Sequence, residues 1–254
     1  MAYSVQIPFE HQQRNSSISD TYVCWSRMQS EAGQGLSDIL QRKENERRAG
    51  GGVFFWGVGN APSRAVSALA RLRKNIPVYF SIMKSKPKLA DSAPSSVVVW
   101  RRYIDHDGAE RQLPPFALIT SRGSSGSGNE KTKHFALVCR SDEELKLKFG
   151  TPFNHHAFRN AGPNGGQIGA SQVTALLRPV DSSETAAEYE VNLEASLTGS
   201  YWIRLSDPLP LTDSQIALYN SVKAADPAAW MEFASELRHR SSTRADEGPQ
   251  LGLF

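Results

Sequence analysis

Four short groups of side chains in this 254-residue sequence could do chemistry. Glu144–Lys146 has the carboxylate–lysine spacing of many nucleases, but we expect it in a short capped helix without a second carboxylate beside it. Asp105–Asp107 could bind a metal, although an Asp-Gly turn explains the same residues. His155–His156 lies in a Gly/Asn-rich loop predicted at 151–169, and adjacent imidazoles rarely point at one metal. His134 and Cys139 are separated by five positions near one strand, so they face opposite sides and cannot form a dyad.

None of these groups predicts a complete catalytic site. The sequence also lacks the glycine-rich phosphate loop and the nucleophile elbow of serine hydrolases. Two cysteines, Cys24 and Cys139, lie in apolar strand-like surroundings, which favours buried free thiols over a disulfide framework or a zinc site. We therefore expect no metal, no cofactor, and a binding protein rather than an enzyme.

The last five residues of the sequence, Gln250–Phe254, combine one amide with three large apolar side chains. An exposed peptide of this kind is an aggregation liability unless a pocket receives it. Full burial of each apolar side chain gains roughly 1.5–3 kcal/mol, less the cost of ordering the peptide. The Gln250 amide both donates and accepts hydrogen bonds, so it can fix the register of the peptide. This composition indicates a weak, releasable contact with a partner.

The pentapeptide resembles the bacterial sliding-clamp-binding motif, whose usual pattern is Gln-Leu-(Ser/Asp)-Leu-Phe. Gly252 departs from that pattern at its tolerant middle position, and the other four positions match. The resemblance implies that Leu251, Leu253 and Phe254 fill the hydrophobic cleft of the clamp, with Gln250 bound beside it. It covers five residues and implies nothing about the fold of the rest. The alternatives are that the peptide packs on its own domain or that the match is accidental.

Charge is distributed unevenly along the chain, although the formal net charge is only +3. Residues 41–102 contain thirteen Lys and Arg against three Asp and Glu, whereas residues 180–254 contain five against twelve. This asymmetry is typical of a chain that meets a polyanion with one surface. The alternative is that these cations decorate solvated helix faces. The candidate nucleic-acid contacts are Arg64, Arg71, Arg73, Lys74, Lys84, Lys86, Lys88, Arg101 and Arg102.

Aromatic residues alternate with this charge, as in proteins that stack bases beside cations. The segment Trp-Gly-Val-Gly-Asn at 56–60, before a predicted basic helix, resembles part of the PUA-like superfamily, which includes the EVE, YTH and ASCH base-reader domains. Gly59 stands where that pattern has Arg, so the motif is incomplete. The resemblance implies a base pocket that contains Trp25, Trp56 and Asn60, and we add Trp100 as a stacking candidate. The alternative is that these aromatic side chains belong to the core.

Periodicity and turn signals predict the elements that position these residues. The predicted strands are Thr21–Trp25, Val53–Val58, Val78–Met83, Val97–Tyr103, Phe116–Ser121, Phe135–Arg140, Gln172–Arg178, Tyr189–Leu193 and Tyr201–Leu205. The predicted helices are Leu36–Arg48 with Ser37 as a possible N-cap, Asn60–Lys74, Ser141–Phe149, and two more that follow Thr212 and Asp226. Capping-box spacing marks the starts at Ser141 and at Thr212, and Pro227 after Asp226 marks the start of the last helix. In that last helix, one apolar stripe contains Trp230, Phe233, Ala234 and Leu237. This order predicts an α+β fold around a curved or barrel-like mixed sheet, of PUA-like type if the resemblance holds.

We predict five regions along the chain. Residues 1–20 form a loose arm, and residues 21–210 form the α+β nucleic-acid-binding domain. Residues 211–239 form a helical pair that packs on this domain. Residues 240–249 form a flexible tether before the peptide at 250–254. A glycine- and serine-rich loop is expected at 122–133.

The class of protein follows from these patterns. No apolar run reaches 18 residues and no secretory signal is visible, so we expect no membrane partner and a cytoplasmic, nucleoid-associated location. Our hypothesis is a DNA-binding accessory protein, of a bacterium or its mobile elements, recruited to replication or repair sites by the clamp. The alternatives are a clamp-targeted nuclease or other nucleic-acid enzyme, and an inhibitor that occupies the clamp without binding DNA.

Overall fold

A computed structural model describes residues 22–29, 34–59, 76–82, 97–105, 107–122, 135–161, 165–169, 172–184, 189–221 and 227–239. The strands are β1 (Val23–Met28), β2 (Val53–Val58), β3 (Ile76–Ile82), β4 (Val97–Ile104), β5 (Glu110–Gln112), β6 (Thr120–Arg122), β7 (Phe135–Arg140), β8 (Thr151–Phe153), β9 (Phe158–Asn160), β10 (Thr174–Pro179), β11 (Tyr189–Val191) and β12 (Leu193–Leu211). The helices are α1 (Leu36–Ala49), α2 (Asp213–Ser221) and α3 (Pro227–His239), with a 3-10 turn at His155–Ala157.

Ten strands form one mixed sheet in the order β2-β7-β12-β3-β1-β10-β9, and β4 joins it on β12 and also pairs with β5 and β6. The β1–β3 pair is parallel, and the other recorded pairs are antiparallel. A separate two-stranded sheet joins β8 to β11. These pairings confirm the predicted α+β class and the large mixed sheet. The described strands do not close into a barrel, because no pair joins β2 to β9.

The long strand β12 organises this sheet. It pairs with β3 through Leu193–Leu197, with β7 on both sides of a register shift between Leu197 and Trp202, and then with β4. The shift contains Gly199 at φ +59° and Tyr201 at φ +58°, a left-handed conformation that inserts extra residues on this strand. A single bulged strand therefore replaces the predicted strand Tyr201–Leu205, and the predicted strand Tyr189–Leu193 divides between β11 and the start of β12.

Both faces of the sheet are covered around β1, β3 and β10. On one face, α1 contributes Ile39 and Leu40 to a cluster with Cys24, Phe80, Leu137 and Leu176. On the other face, Trp25, Tyr79 and Leu177 pack against Phe153 and Phe158. The helices α2 and α3 cover β4 through a third cluster that contains Tyr219, Trp230, Phe233 and Leu237. The apolar stripe predicted for α3 is therefore confirmed as its buried face.

Helix ends follow local chemistry. Gly35, rather than Ser37, precedes α1, and the Asp38 carboxylate accepts a hydrogen bond from the Gly35 backbone N–H at 3.3 Å. At α2, the Gln215 N–H donates to Thr212 Oγ1 at 3.3 Å and the Thr212 N–H donates to Gln215 Oε1 at 2.9 Å, a complete capping box. Pro227 is the first residue of α3, as predicted from the Asp-Pro pair.

Three predictions about elements are wrong. The segment Ser141–Phe149 is not a helix, because its backbone N–H groups have partners outside it: Leu145 N donates to Glu44 Oε2 and Lys148 N to Asn192 O. Strand β6 begins only at Thr120. The predicted loop at 151–169 instead contains β8, the 3-10 turn and β9.

Several predicted segments lie outside the described residues. They are the arm at 1–20, the whole helix Asn60–Lys74, most of the loop at 122–133, the tether at 240–249 and the peptide at 250–254. No helix in the described ranges is both long and apolar enough to span a membrane.

Candidate functional site

Two of the nine predicted phosphate-contacting cations lie in the described chain, and both are on β4. Arg101 stands opposite Asp207 of β12 and forms an ion pair with it. Arg102 lies 3.6 Å from the same carboxylate and 3.4 Å from Glu110 of β5. The Arg102 side chain keeps 48% of its surface exposed, so it remains accessible to a ligand. The other seven lie outside the described residues: Arg64, Arg71, Arg73, Lys74, Lys84, Lys86 and Lys88.

The three described tryptophans of the predicted base pocket lie in three different hydrophobic clusters. Trp56 packs on the α1 side of the sheet, Trp25 on the opposite side, and Trp100 in a cluster with Phe55 and Leu113. Each of them is at most 8% exposed. The fold does not bring these tryptophans together, and Asn60 lies outside the described residues.

In the turn that follows β4, two carboxylates face an arginine. Gly108 N donates to Asp105 O at 2.9 Å and closes the predicted turn. Arg111 lies 2.7 Å from Asp107 and 3.8 Å from Asp105. A hydrogen bond from the Ala109 N–H lowers the pKa of the Asp107 carboxyl, and the Arg111 guanidinium lowers it further. These contacts use the carboxylates that would otherwise serve a cation.

The remaining chemical candidates also have ordinary partners. Glu144 and Lys146 form an exposed ion pair at 3.3 Å. Across the described ranges, no three His, Cys, Asp or Glu side chains are arranged to hold a metal ion. Cys24 and Cys139 are fully buried free thiols, as predicted, and burial raises the pKa of Cys24 to about 12.

Sequence reasoning missed a buried polar network on α1. Five consecutive polar residues of this helix, Arg42–Glu46, are each at most 7% exposed. The Glu46 carboxylate is fully buried and accepts from Lys43 Nζ at 2.7 and 2.9 Å, from Phe55 N at 3.2 Å and from Leu118 N at 3.3 Å. A signal was present in the sequence, because the opposite charges of Lys43 and Glu46 are three positions apart.

The same network ties α1 to several other elements. Arg42 donates to Leu118 O at 2.6 Å and to Gln34, which also accepts from the Tyr219 hydroxyl of α2. Burial lowers the pKa of Lys43 to about 8, although the nearby Glu46 carboxylate opposes this shift. Because these charges are enclosed by protein, the network holds the fold together and offers no open surface to a ligand.

A second polar cluster surrounds the 3-10 turn. The Arg27 guanidinium lies 5.3 Å from the Trp25 ring centroid and 5.6 Å from that of Tyr189. The rings of His155 and His156 lie 3.9 Å apart, and His156 Nδ1 is 2.6 Å from Glu184. The adjacent histidines therefore contact an aromatic ring, that of Tyr189, and a carboxylate, that of Glu184. Sequence analysis did not predict these contacts.

No protein-family model matches this sequence, and neither a curated protein nor a solved structure matches it.

Proposed function

We propose that this chain binds nucleic acid and is recruited to replication or repair sites when Gln250–Phe254 docks in the hydrophobic cleft of a bacterial sliding clamp. The observation that carries the proposal is the match of four of the five positions, one amide and three apolar side chains, to the clamp-binding pattern. Three anchors of this size suit a micromolar contact that a replication partner can displace.

Chain length supports simultaneous binding of clamp and nucleic acid. Helix α3 ends at His239, and residues 240–249 separate it from the peptide. Ten residues reach at most roughly 33–36 Å when fully extended. A link of this length makes the second binding step intramolecular, so two weak contacts produce useful avidity.

Positive charge supports the nucleic-acid part of the proposal, but burial and ion pairing leave only some of these charges free to contact phosphate. Within the basic segment 41–102, Arg42 and Lys43 are enclosed in the α1 network, and Arg47 lies 2.7 Å from Glu44. Exposed Arg48 and half-exposed Arg102 remain on the described surface. Phosphate contacts from this segment therefore depend mainly on the cations at 64–88.

Calorimetric titration of a bacterial sliding clamp tests the recruitment step. The full chain is compared with a variant of the same length, Leu253→Ala combined with Phe254→Ala, and with Gly252→Ser as a matched control at the tolerant position. We expect micromolar binding that the double alanine variant loses and that Gly252→Ser retains. Equal binding by the wild type and the double variant would refute recruitment through this peptide.

A second titration separates the alternatives. Anisotropy of a labelled oligonucleotide, measured against salt concentration, should show affinity that falls steeply with salt and no cleavage of the strand. Metal-dependent cleavage would favour the clamp-targeted nuclease. Tight clamp binding without any oligonucleotide binding would favour the clamp-occupying inhibitor.

A further inference from the structure

Two arginines face each other across the outer strand pair of the large sheet. Arg178 of β10 is in register with Arg159 of β9, so their side chains leave the same face at neighbouring positions. Strand β9 ends the pairing path of the sheet within the described residues. Like charges placed directly opposite each other oppose the folded state, so this pair calls for a reason other than stability.

Neither arginine has a carboxylate within 4 Å in the portion of the chain that the structure describes. Arg159 donates through Nη1 to the backbone oxygens of His156 at 2.9 Å and Phe158 at 2.8 Å. These bonds hold the Arg159 guanidinium against the 3-10 turn. Arg178 is exposed. The Glu184 carboxylate contacts the 3-10 turn instead, since it lies 2.6 Å from His156 Nδ1.

A glycine-rich loop runs beside Arg178 and leaves backbone open there. Gly165 has φ +52°, and a Cβ atom at this residue would lie 3.4 Å from Arg178 Nη2. Gly166 has open space where a side chain would be. Asn160 fixes this loop, since its Nδ2 donates to Gly166 O at 3.1 Å and to Gln167 O at 3.0 Å. The Arg178 guanidinium therefore stands next to accessible glycine backbone on a fixed loop, and Arg159 is its neighbour across the strand pair.

We propose that Arg159 and Arg178 form a phosphate-binding site for the nucleic-acid backbone at the β9–β10 edge. The inference rests on the nucleic-acid part of the proposed function and places a contact outside the basic segment 41–102. Guanidinium groups bind phosphate oxygens through paired N–H donors. Contacts to the phosphate backbone do not depend on the bases, so we expect a contribution that is independent of nucleotide sequence. Free inorganic phosphate has the same chemistry, and the experiment below separates the two sources.

The test compares Arg178→Gln with Arg204→Gln in the full chain. Arg204 is exposed on β12, beyond the residues of β12 that pair with β3, and both β3 and β1 lie between β12 and β10 in the sheet order. Both variants remove one positive charge, so they share any long-range effect of net charge. Anisotropy of a labelled single-stranded and a labelled double-stranded oligonucleotide is measured over a series of salt concentrations.

We expect Arg178→Gln to weaken oligonucleotide binding about 5–10-fold near 0.1 M salt and to reduce the slope of log affinity against log salt by about 1. Arg204→Gln should change affinity less than about twofold and leave the slope unchanged. The melting temperature of Arg178→Gln should equal or exceed that of the wild type, since the variant relieves a like-charge pair. A purely structural role for Arg178 would lower it.

Each outcome decides one question. Wild-type binding together with equal effects of the two variants would overturn this site and leave the proposed function standing. Failure of the wild type to bind either oligonucleotide would overturn the nucleic-acid part of the proposed function and this inference with it. Calorimetric binding of inorganic phosphate by the wild type but not by Arg178→Gln, together with equal oligonucleotide affinity of the two proteins, would assign the site to free phosphate and overturn the nucleic-acid source.

Discussion

Replacement of Glu46 by Gln should show how much the α1 network contributes to the free energy of unfolding. The substitution keeps the shape of the side chain but removes its charge and turns one acceptor oxygen into an NH₂ donor. Each carboxylate oxygen of Glu46 accepts from Lys43 and from one backbone N–H, that of Phe55 or that of Leu118. In the variant, one of these buried N–H groups therefore faces a donor.

The size of the effect follows from that geometry. A buried N–H that loses its acceptor costs about 1–3 kcal/mol, and removal of one partner from a buried ion pair costs about 3–5 kcal/mol in total. We expect Glu46→Gln to lower the free energy of unfolding at pH 7 by about 3–5 kcal/mol, measured by urea denaturation. Glu143→Gln is the matched control, because Glu143 pairs with Lys148 on the surface with 61% of its side chain exposed. Its effect should stay below about 0.5 kcal/mol.

The pH dependence gives an independent check through Lys43. Burial lowers its pKa to about 8 in the folded chain, against 10.5 ordinarily. Between these values the unfolded chain holds the proton and the folded chain does not, so this group makes stability rise with pH, by at most about 1.4 kcal/mol per pH unit. The rise is measured as the stability of the wild type relative to Lys43→Met, which cancels the titration of other groups. A loss below about 1 kcal/mol for Glu46→Gln, or a flat difference from pH 8 to 10, would refute the reasoning.

Three further predictions concern packing, thiol chemistry and capping. Phe149→Ser should change the free energy of unfolding by less than about 0.5 kcal/mol, because this ring is fully exposed. Phe153→Ala should lower the free energy of unfolding by about 3–5 kcal/mol, because that ring is fully buried. Equal losses of the two variants in urea denaturation would contradict the packing described here. Native protein at pH 8 should leave Cys24 and Cys139 unmodified by a chromogenic thiol reagent and react only after denaturation, since burial raises the pKa of both thiols. Thr212→Ala should lower the free energy of unfolding by about 1 kcal/mol in thermal denaturation, because the α2 cap is lost. Thr212→Ser keeps the hydroxyl and should retain most of this stability.

Local patterns predicted the elements whose stabilising contacts are local. The apolar run Val53–Val58 forms β2 with the predicted bounds, and α1 extends only one residue beyond its predicted end, before Gly50. The capping box at Thr212 is also a local interaction, so its sequence pattern is sufficient to identify it.

The same pattern failed at Ser141 because contacts distant in sequence compete with a helix there. The Leu145 N–H donates to Glu44 of α1 and the Lys148 N–H donates to Asn192, so these groups do not form the hydrogen bonds of a helix. Strand β12 is longer than the predicted strand Tyr201–Leu205, because pairing with β3, β7 and β4 carries it across Gly199 and across Pro208 and Pro210.

The sequence by itself determined the apolar periodicity, the class of the fold, the uneven charge and the peptide at Gln250–Phe254, because each depends on residues close together in the chain. Only the tertiary structure decided which charges are available to a ligand. Arg42, Lys43 and Glu46 look like a solvated helix face in the sequence, yet the segment around Leu118 covers them. Arg159 and Arg178, nineteen positions apart in the chain, become neighbours because strand pairing sets their register. Burial and register arise from contacts between distant segments, which no local pattern of residue types records.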